Sequence, residues 1–194
     1  MTLPSRSARA LAATACGATL LIAACSAARV TVTPSSSTSA SSVPTAAPRL
    51  FAGTGFRTDI PAGWLDQTND QSAIGAAGGG GTVLMLLASP DRGLIVARIT
   101  AQPVPDDQLA LYLTSITPPG ATGVTQAEPV NINGVSGVMI SFAGSSPGVV
   151  AQETEAMVVN QAGNTYEITL SAAQAGFAHD ATALQEVLNS WRWA

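Results

Sequence analysis

Few residues in this chain are equipped for chemistry. A Ser-His-Asp triad would have to use His179, the only histidine, which stands beside Asp180, and no Gly-x-Ser-x-Gly elbow accompanies it. Sequence neighbours rarely form the oriented pair that proton transfer needs, so His179 reads as an exposed or helix-cap residue. Glu153 and Glu155 share one face of a strand pattern. Such a pair can serve a glycosidase, but on one strand it reads first as a solvated face. Asp66, Asn69 and Asp70 lack the alternating oxygens and later glutamate of a calcium loop. One histidine and no cysteine after Cys25 leave zinc without a ligand set. Gly75 to Gly81 holds five glycines. A phosphate cradle needs a strand before it and a helix after it, and a P-loop needs a lysine. Here a strand follows and the chain has no lysine, so this reads as a flexible loop. Trp64, Trp191 and Trp193 could line a sugar or lipid pocket, but tryptophan is usually substantially buried, which favours core packing. No catalytic residue, cofactor or metal site is assigned, and the chain reads as a non-enzyme.

The elements that carry these residues begin with an apolar N-terminus. Arg6 and Arg9 precede Ala10 to Ala24, which is apolar apart from Thr14 and Thr19. A basic segment, an apolar stretch of this length and small residues before a cut describe a secretory signal peptide over residues 1–24. Ile22-Ala23-Ala24-Cys25 resembles the lipobox of bacterial lipoproteins. That resemblance implies cleavage before Cys25 and acylation of its sulfur. A cleaved, unlipidated signal and an uncleaved anchor are the alternatives. The run is at the short end of the roughly 20 residues a spanning helix needs, and alanine-rich. Cys16, preceded by Ala13-Thr14-Ala15, lacks the bulky aliphatic residue three positions earlier. The pathway supplies at least two acyl chains, enough for durable attachment.

Composition bounds the remainder. Of 194 residues, 170 follow Ala24, which suits one domain and a tether. All 12 acids lie in that part, with six arginines, for a formal charge of −6. An acidic domain gains nothing from phosphate attraction, so nucleic acid is not an expected partner. It also has no reason to lie flat on an anionic membrane. With Cys25 taken by lipid, no intramolecular disulfide is possible, and the fold must stand on its core. Residues 25–49 are rich in Ser, Thr and Pro and read as a disordered tether. Its reach is roughly 25–30 Å, and it is a candidate for O-glycosylation.

The folded part spans 50–194. Phe56, Thr58 and Ile60 alternate with Arg57 and Asp59, a strand that Pro61-Ala62-Gly63 stops before Trp64, a core plug. Thr82 to Ala88 is apolar on both faces, as in a strand covered on both sides. Ser89 to Gly93 turns it into Leu94–Ala101, which makes a hairpin. A helix follows, with Pro105 at its first position, Asp106 and Asp107 at its positive end, and a stripe of Leu109, Tyr112, Leu113 and Ile116. Thr125 to Ile132 meets its returning strand at Asn133-Gly134. That strand presents Val138, Ile140 and Phe142, and Ser145-Ser146-Pro147-Gly148 turns it into Val149–Val159. Gln161 to Asn164 turns again, into a strand presenting Tyr166, Ile168 and Leu170. A last helix carries Leu184, Val187, Leu188 and Trp191 on one stripe, with Thr182 and Gln185 as a capping box and Asp180 as a rival cap. The fold class is α+β: a largely antiparallel sheet of about seven strands with helices packed on it.

Phe56-x-x-x-Ile60-Pro61-x-Gly63-Trp64 is similar to the opening of PsbP-like domains, and Ser190-Trp191-Arg192-Trp193 is similar to their end. With the lipobox and tether, the chain resembles the LpqN-type lipoproteins of mycobacteria and their relatives. The resemblance implies a PsbP-like α/β/α sandwich and no shared catalytic set. Family members that bind proteins, the photosystem II subunit and the Ran-binding Mog protein, support a binding module only by analogy.

The expected function is a lipid-anchored, extracytoplasmic module at the cell membrane, attached through Cys25 and meeting an unknown protein partner. A carrier of lipid or a small hydrophobic ligand in a cleft between sheet and helix is the alternative, and an envelope hydrolase a weaker one. A deep apolar cavity would favour the carrier, an exposed apolar patch the partner module, and a cleft with paired titratable groups the enzyme.

Overall fold

The computed structural model of the chain describes residues 49–144 and 151–194. The signal segment 1–24, Cys25, the tether as far as residue 48 and the Ser145-Ser146-Pro147-Gly148 turn lie outside them.

The main sheet has seven strands, all antiparallel: β3 (Leu65–Asp66), β4 (Thr82–Ala88), β5 (Leu94–Ile99), β6 (Glu128–Ile132), β7 (Val135–Gly144), β8 (Gln152–Gln161) and β9 (Asn164–Ala173), in the order β3-β4-β5-β9-β8-β7-β6. The strand expected over Phe56–Ile60 forms, as β2, but not in this sheet. It lies in a smaller one between β1 (Arg49–Gly53) and β10 (Arg192–Trp193). The seventh place in the main sheet goes to the two-residue β3.

Two hairpins use two-residue turns with positive φ. These are Asn133-Gly134 at 47° and 89°, and Ala162-Gly163 at 49° and 78°. Turns of this hand match the right-handed twist of the strands they join.

Alternation along the strands sorts the core into two layers. Met85, Leu87, Ile95, Ala97, Met157, Val159, Tyr166, Ile168 and Leu170 face α3 (Phe177–Ser190), which buries Ala183, Leu184, Val187 and the following Trp191 against them. The small sheet closes this layer with Phe51, Phe56, Ile60 and Trp64. On the other face α2 (Leu109–Ile116) buries Leu109 and Leu113 against Ile140, Phe142, Ala156 and Val158. Both amphipathic stripes therefore form as expected, one on each side of the sheet.

Several expectations give way. Gly75–Gly81 is not all loop: Gln71–Ala77 is a helix, α1. Asp70 caps it, its Oδ1 accepting from the Ser72 and Ala73 amides at 2.9 and 3.1 Å. A good cap offsets the poor helix propensity of Gly75. Pro105 precedes the first helical position, and a 3-10 turn over Asp106–Gln108 leads into α2. β6 starts at Glu128, although Thr122 and Thr125 already bond to Ala143 and Ser141 of β7. The capping box at the last helix is absent. α3 starts at Phe177 after Gly176, so Thr182 lies in its interior and donates to the Ala178 carbonyl.

Candidate functional site

α2 has only eight residues. It covers β7 and β8, and among the described residues no helix covers the same face of β5 and β9. The residues of these two strands that line the cleft are polar: Arg98 on β5, and Glu167, Thr169 and Ser171 on β9. Between them, α2 and the loop after α1 lies an open cleft of about 1110 Å³. Leu111, Ile116, Pro103 and Phe142 supply apolar wall, while Thr154, Thr169 and Ser171 supply hydroxyls. Thr154 and Ser171 are cross-strand partners whose hydroxyls bond at 3.0 Å.

Two opposite charges form the floor. Arg98 and Glu167 are each only 5% exposed. The Arg98 Nη1 lies 3.6 Å from Glu167 Oε1, an ion pair longer than a hydrogen bond. Tyr112 of α2 donates its phenol proton to Glu167 Oε2 at 2.7 Å. Burial and then the Glu167 bond and charge push the Tyr112 phenol well above its ordinary range, against the opposing Arg98 charge. Among the described residues the Arg98 guanidinium donates no hydrogen bond, and its buried Nε has no partner. Gly79, at φ +82°, lies against the Arg98 Nη1, and a Cβ there would collide with the guanidinium. The glycine run thus covers an arginine rather than cradling a phosphate.

The residues singled out from sequence lie elsewhere. His179 is exposed in the first turn of α3, on the opposite side of the sheet from the cleft. Asp180 is no cap: it is 1% exposed, with Oδ2 3.5 Å from the Ser89 hydroxyl and Oδ1 unpartnered among the described residues. Burial raises its carboxyl above the usual range, opposed by His179, reinforced by Asp91 and opposed again by the Ser89 bond. Glu153 and Glu155 are not a solvated face. Both are half-buried on the α3 side, where burial and then Glu153 raise the Glu155 carboxyl. Glu155 borders a smaller crevice of about 310 Å³ with Met157, Gln185 and Asn189. Asp66, Asn69 and Asp70 are exposed, and the described residues contain no group of three metal-ligating acids, histidines or cysteines.

The tryptophans are packing groups. Trp64 and Trp191 are buried, and Trp191 stacks on Phe56 with ring centroids 3.9 Å apart and planes 7° apart. Trp193 donates its indole proton to the Ile132 carbonyl at 2.9 Å. The cleft residues that sequence reasoning missed, Arg98 and Glu167, left one signal: opposite charges interrupting apolar strand patterns.

No protein-family model matches the sequence, and no curated protein matches it significantly. Solved structures do. The cyanobacterial PsbP of Synechocystis superposes with a TM-score of 0.53 at 15% identity, covering 79% of this chain and 96% of that one. LpqN of Mycobacterium tuberculosis, a protein involved in cell envelope biogenesis, gives 0.54 at 14% identity, covering 74% and 87%. A protein of Bacteroides thetaiotaomicron gives 0.50 at 14% identity, covering 76% of this chain and 48% of its own. The strand order, the two helical layers and these likenesses together define a PsbP-like α+β fold.

Proposed function

We propose that the chain is an exported, lipid-anchored accessory protein of a cell envelope, and that it is a non-enzymatic binding module whose cleft takes a small hydrophobic or amphiphilic ligand. The observation that carries the reading is the cleft: concave, walled by apolar side chains, with a few converging polar groups, as ligand sites are built. Its titratable groups are engaged with each other, since Glu167 is held by Tyr112 and faces Arg98. That arrangement suits orientation of a ligand better than proton transfer to one. Arg6, Arg9, the apolar run and Cys25 support export and attachment. The envelope role of LpqN, whose fold this chain shares, supports the location by analogy.

A protein partner is the second reading, favoured by Leu111, which stands 68% exposed on α2 at the rim of the cleft.

Native mass spectrometry of the chain purified from an exporting bacterial host tests the carrier reading. A stoichiometric bound species, lost on denaturation, is expected. A clean apo mass together with a cross-linked envelope protein at Leu111 would overturn the carrier in favour of the partner. Attachment is tested separately by labelled palmitate, expected in the wild type and lost in Cys25→Ser.

A further inference from the structure

Arg98 is a donor group that meets Glu167 only at ion-pair distance, 3.6 Å. It is 5% exposed, lines the cleft and makes no hydrogen bond to a described residue. A buried donor left unsatisfied costs free energy, and a guanidinium carries five N–H groups. The Nε is shut off from the cleft, but the Nη groups are not among the sealed, unpartnered atoms, and an acceptor that enters the cleft can meet them.

The charges around it narrow the choice. Among the described residues lining the cleft, Arg98 and Glu167 are the only two that are formally charged, and they are opposite. The floor is therefore balanced before any ligand arrives. A carboxylate or phosphate brought onto Arg98 would add an unmatched third charge, close to Glu167 and away from bulk water. Like charges repel more strongly there, and stripping an anion of its water is costly. A neutral oxygen, as in a hydroxyl, ester or amide, accepts the same N–H groups without either cost. Leu111, Ile116 and Phe142 stand ready for an alkyl portion.

We infer that Arg98 and Glu167 act together as a charge filter, so that the cleft selects amphiphiles with an uncharged, oxygen-bearing head over fatty-acid-like anions. Arg98 reads the oxygen, Glu167 neutralises Arg98, and Tyr112 holds Glu167 in place. The inference rests on the ligand-binding reading of the cleft.

The test compares heads on a constant tail. Monolauroylglycerol, laurate and dodecylamine are titrated below their micellar concentrations into the purified full chain, with displacement of Nile red as the readout. The neutral monolauroylglycerol is expected to bind at least tenfold tighter than laurate at pH 7.5, and dodecylamine to bind no better than laurate. Glu167→Gln leaves Arg98 unbalanced and is expected to raise laurate affinity tenfold, closing the gap between laurate and monolauroylglycerol. Laurate binding as well as the neutral ligand, or dodecylamine binding tightest, would overturn the filter while leaving the binding cleft intact. If none of the three displaces Nile red, the binding reading fails and takes the filter with it. The wild-type ranking decides the matter even if Glu167→Gln does not fold.

Discussion

Arg98 and Glu167 stand directly opposite each other across β5 and β9, one register step inside the Ile99–Tyr166 pair, and both are buried on the face that α2 leaves open. Cross-strand placement brings the charges together, and Tyr112 of α2 then holds Glu167 by its hydrogen bond. Their neighbours on the opposite face, Ala97 and Ile168, are fully buried core. Strand pairing that builds the core thus also builds the floor of the cleft.

A buried pair costs more to break than to replace. Arg98→Met or Glu167→Leu alone leaves one uncompensated charge and is expected to destabilise by about 3–5 kcal/mol. The double substitution removes both charges and is expected to recover most of that loss. Urea unfolding of the three variants measures it. Single losses that simply add in the double variant would mean the two side chains do not interact.

The glycine run gives a second expectation with internal controls. Gly79→Ala meets both a strained φ of +82° and the Arg98 guanidinium. Gly78→Ala meets only the strain of φ +60°, with nothing within 4 Å of a new Cβ. Gly80→Ala meets neither. The order of destabilisation should be Gly79, then Gly78, then Gly80, with about 1–3 kcal/mol for strain alone at Gly78, whose φ of 60° and ψ of −162° are essentially restricted to glycine. Thermal melts of the three variants give the order, and equal melts would show that the loop does not press on Arg98.

Asp180 sets a pH dependence whose sign follows from its surroundings. Burial holds its carboxyl above the ordinary range, so the folded chain binds that proton more tightly than the unfolded chain. The stability it contributes is complete below the unfolded value near about pH 4 and is lost as pH rises through the folded value. Glu155 is shifted the same way, by burial and then by Glu153, and adds the same sign. Asp180→Asn keeps the shape and removes the charge. It should raise stability on the order of 1 kcal/mol at pH 7 and flatten the fall between pH 4 and 7, with Asp180→Asn/Glu155→Gln flatter still. Urea midpoints across that range test it, and an unchanged slope would exclude both carboxyls as its source.

How much of this was legible in the sequence depends on whether a feature was local. Leu109-Tyr112-Leu113-Ile116 and Leu184-Val187-Leu188-Trp191 were readable because burial follows the helical period. Asn133-Gly134 was readable because its turn demands those residues. α1 was not, since seven residues give little period and its stability comes from a cap at Asp70. Asp180 is not a cap because α3 is entered from Gly176, four residues before Asp180 and six before Thr182, which moves Asp180 from the helix end into a buried position. The cleft was least legible. Arg98 and Glu167 are 69 positions apart, and only the register of β5 on β9 brings them together. The shortness of α2, which leaves that face open, matters only once the width of the sheet is known.

Trp191 supplies the last expectation, which separates packing from ligand contact. The ring is fully buried, stacked 3.9 Å from Phe56, and its indole nitrogen has no partner among the described residues. It therefore contributes area and stacking, and no hydrogen bond is lost when the nitrogen goes. Trp191→Phe should cost only the missing ring volume, about 1–2 kcal/mol, while Trp191→Ala should cost about 3–5 kcal/mol and unseat the end of α3 from the small sheet. Because Trp191 packs on the α3 side of the sheet, Trp191→Phe should leave Nile red binding in the cleft unchanged. Chemical denaturation and dye titration on the same variant decide between the roles. A folded Trp191→Phe that no longer takes the dye would place the ligand on the α3 side and assign the tryptophans to the site.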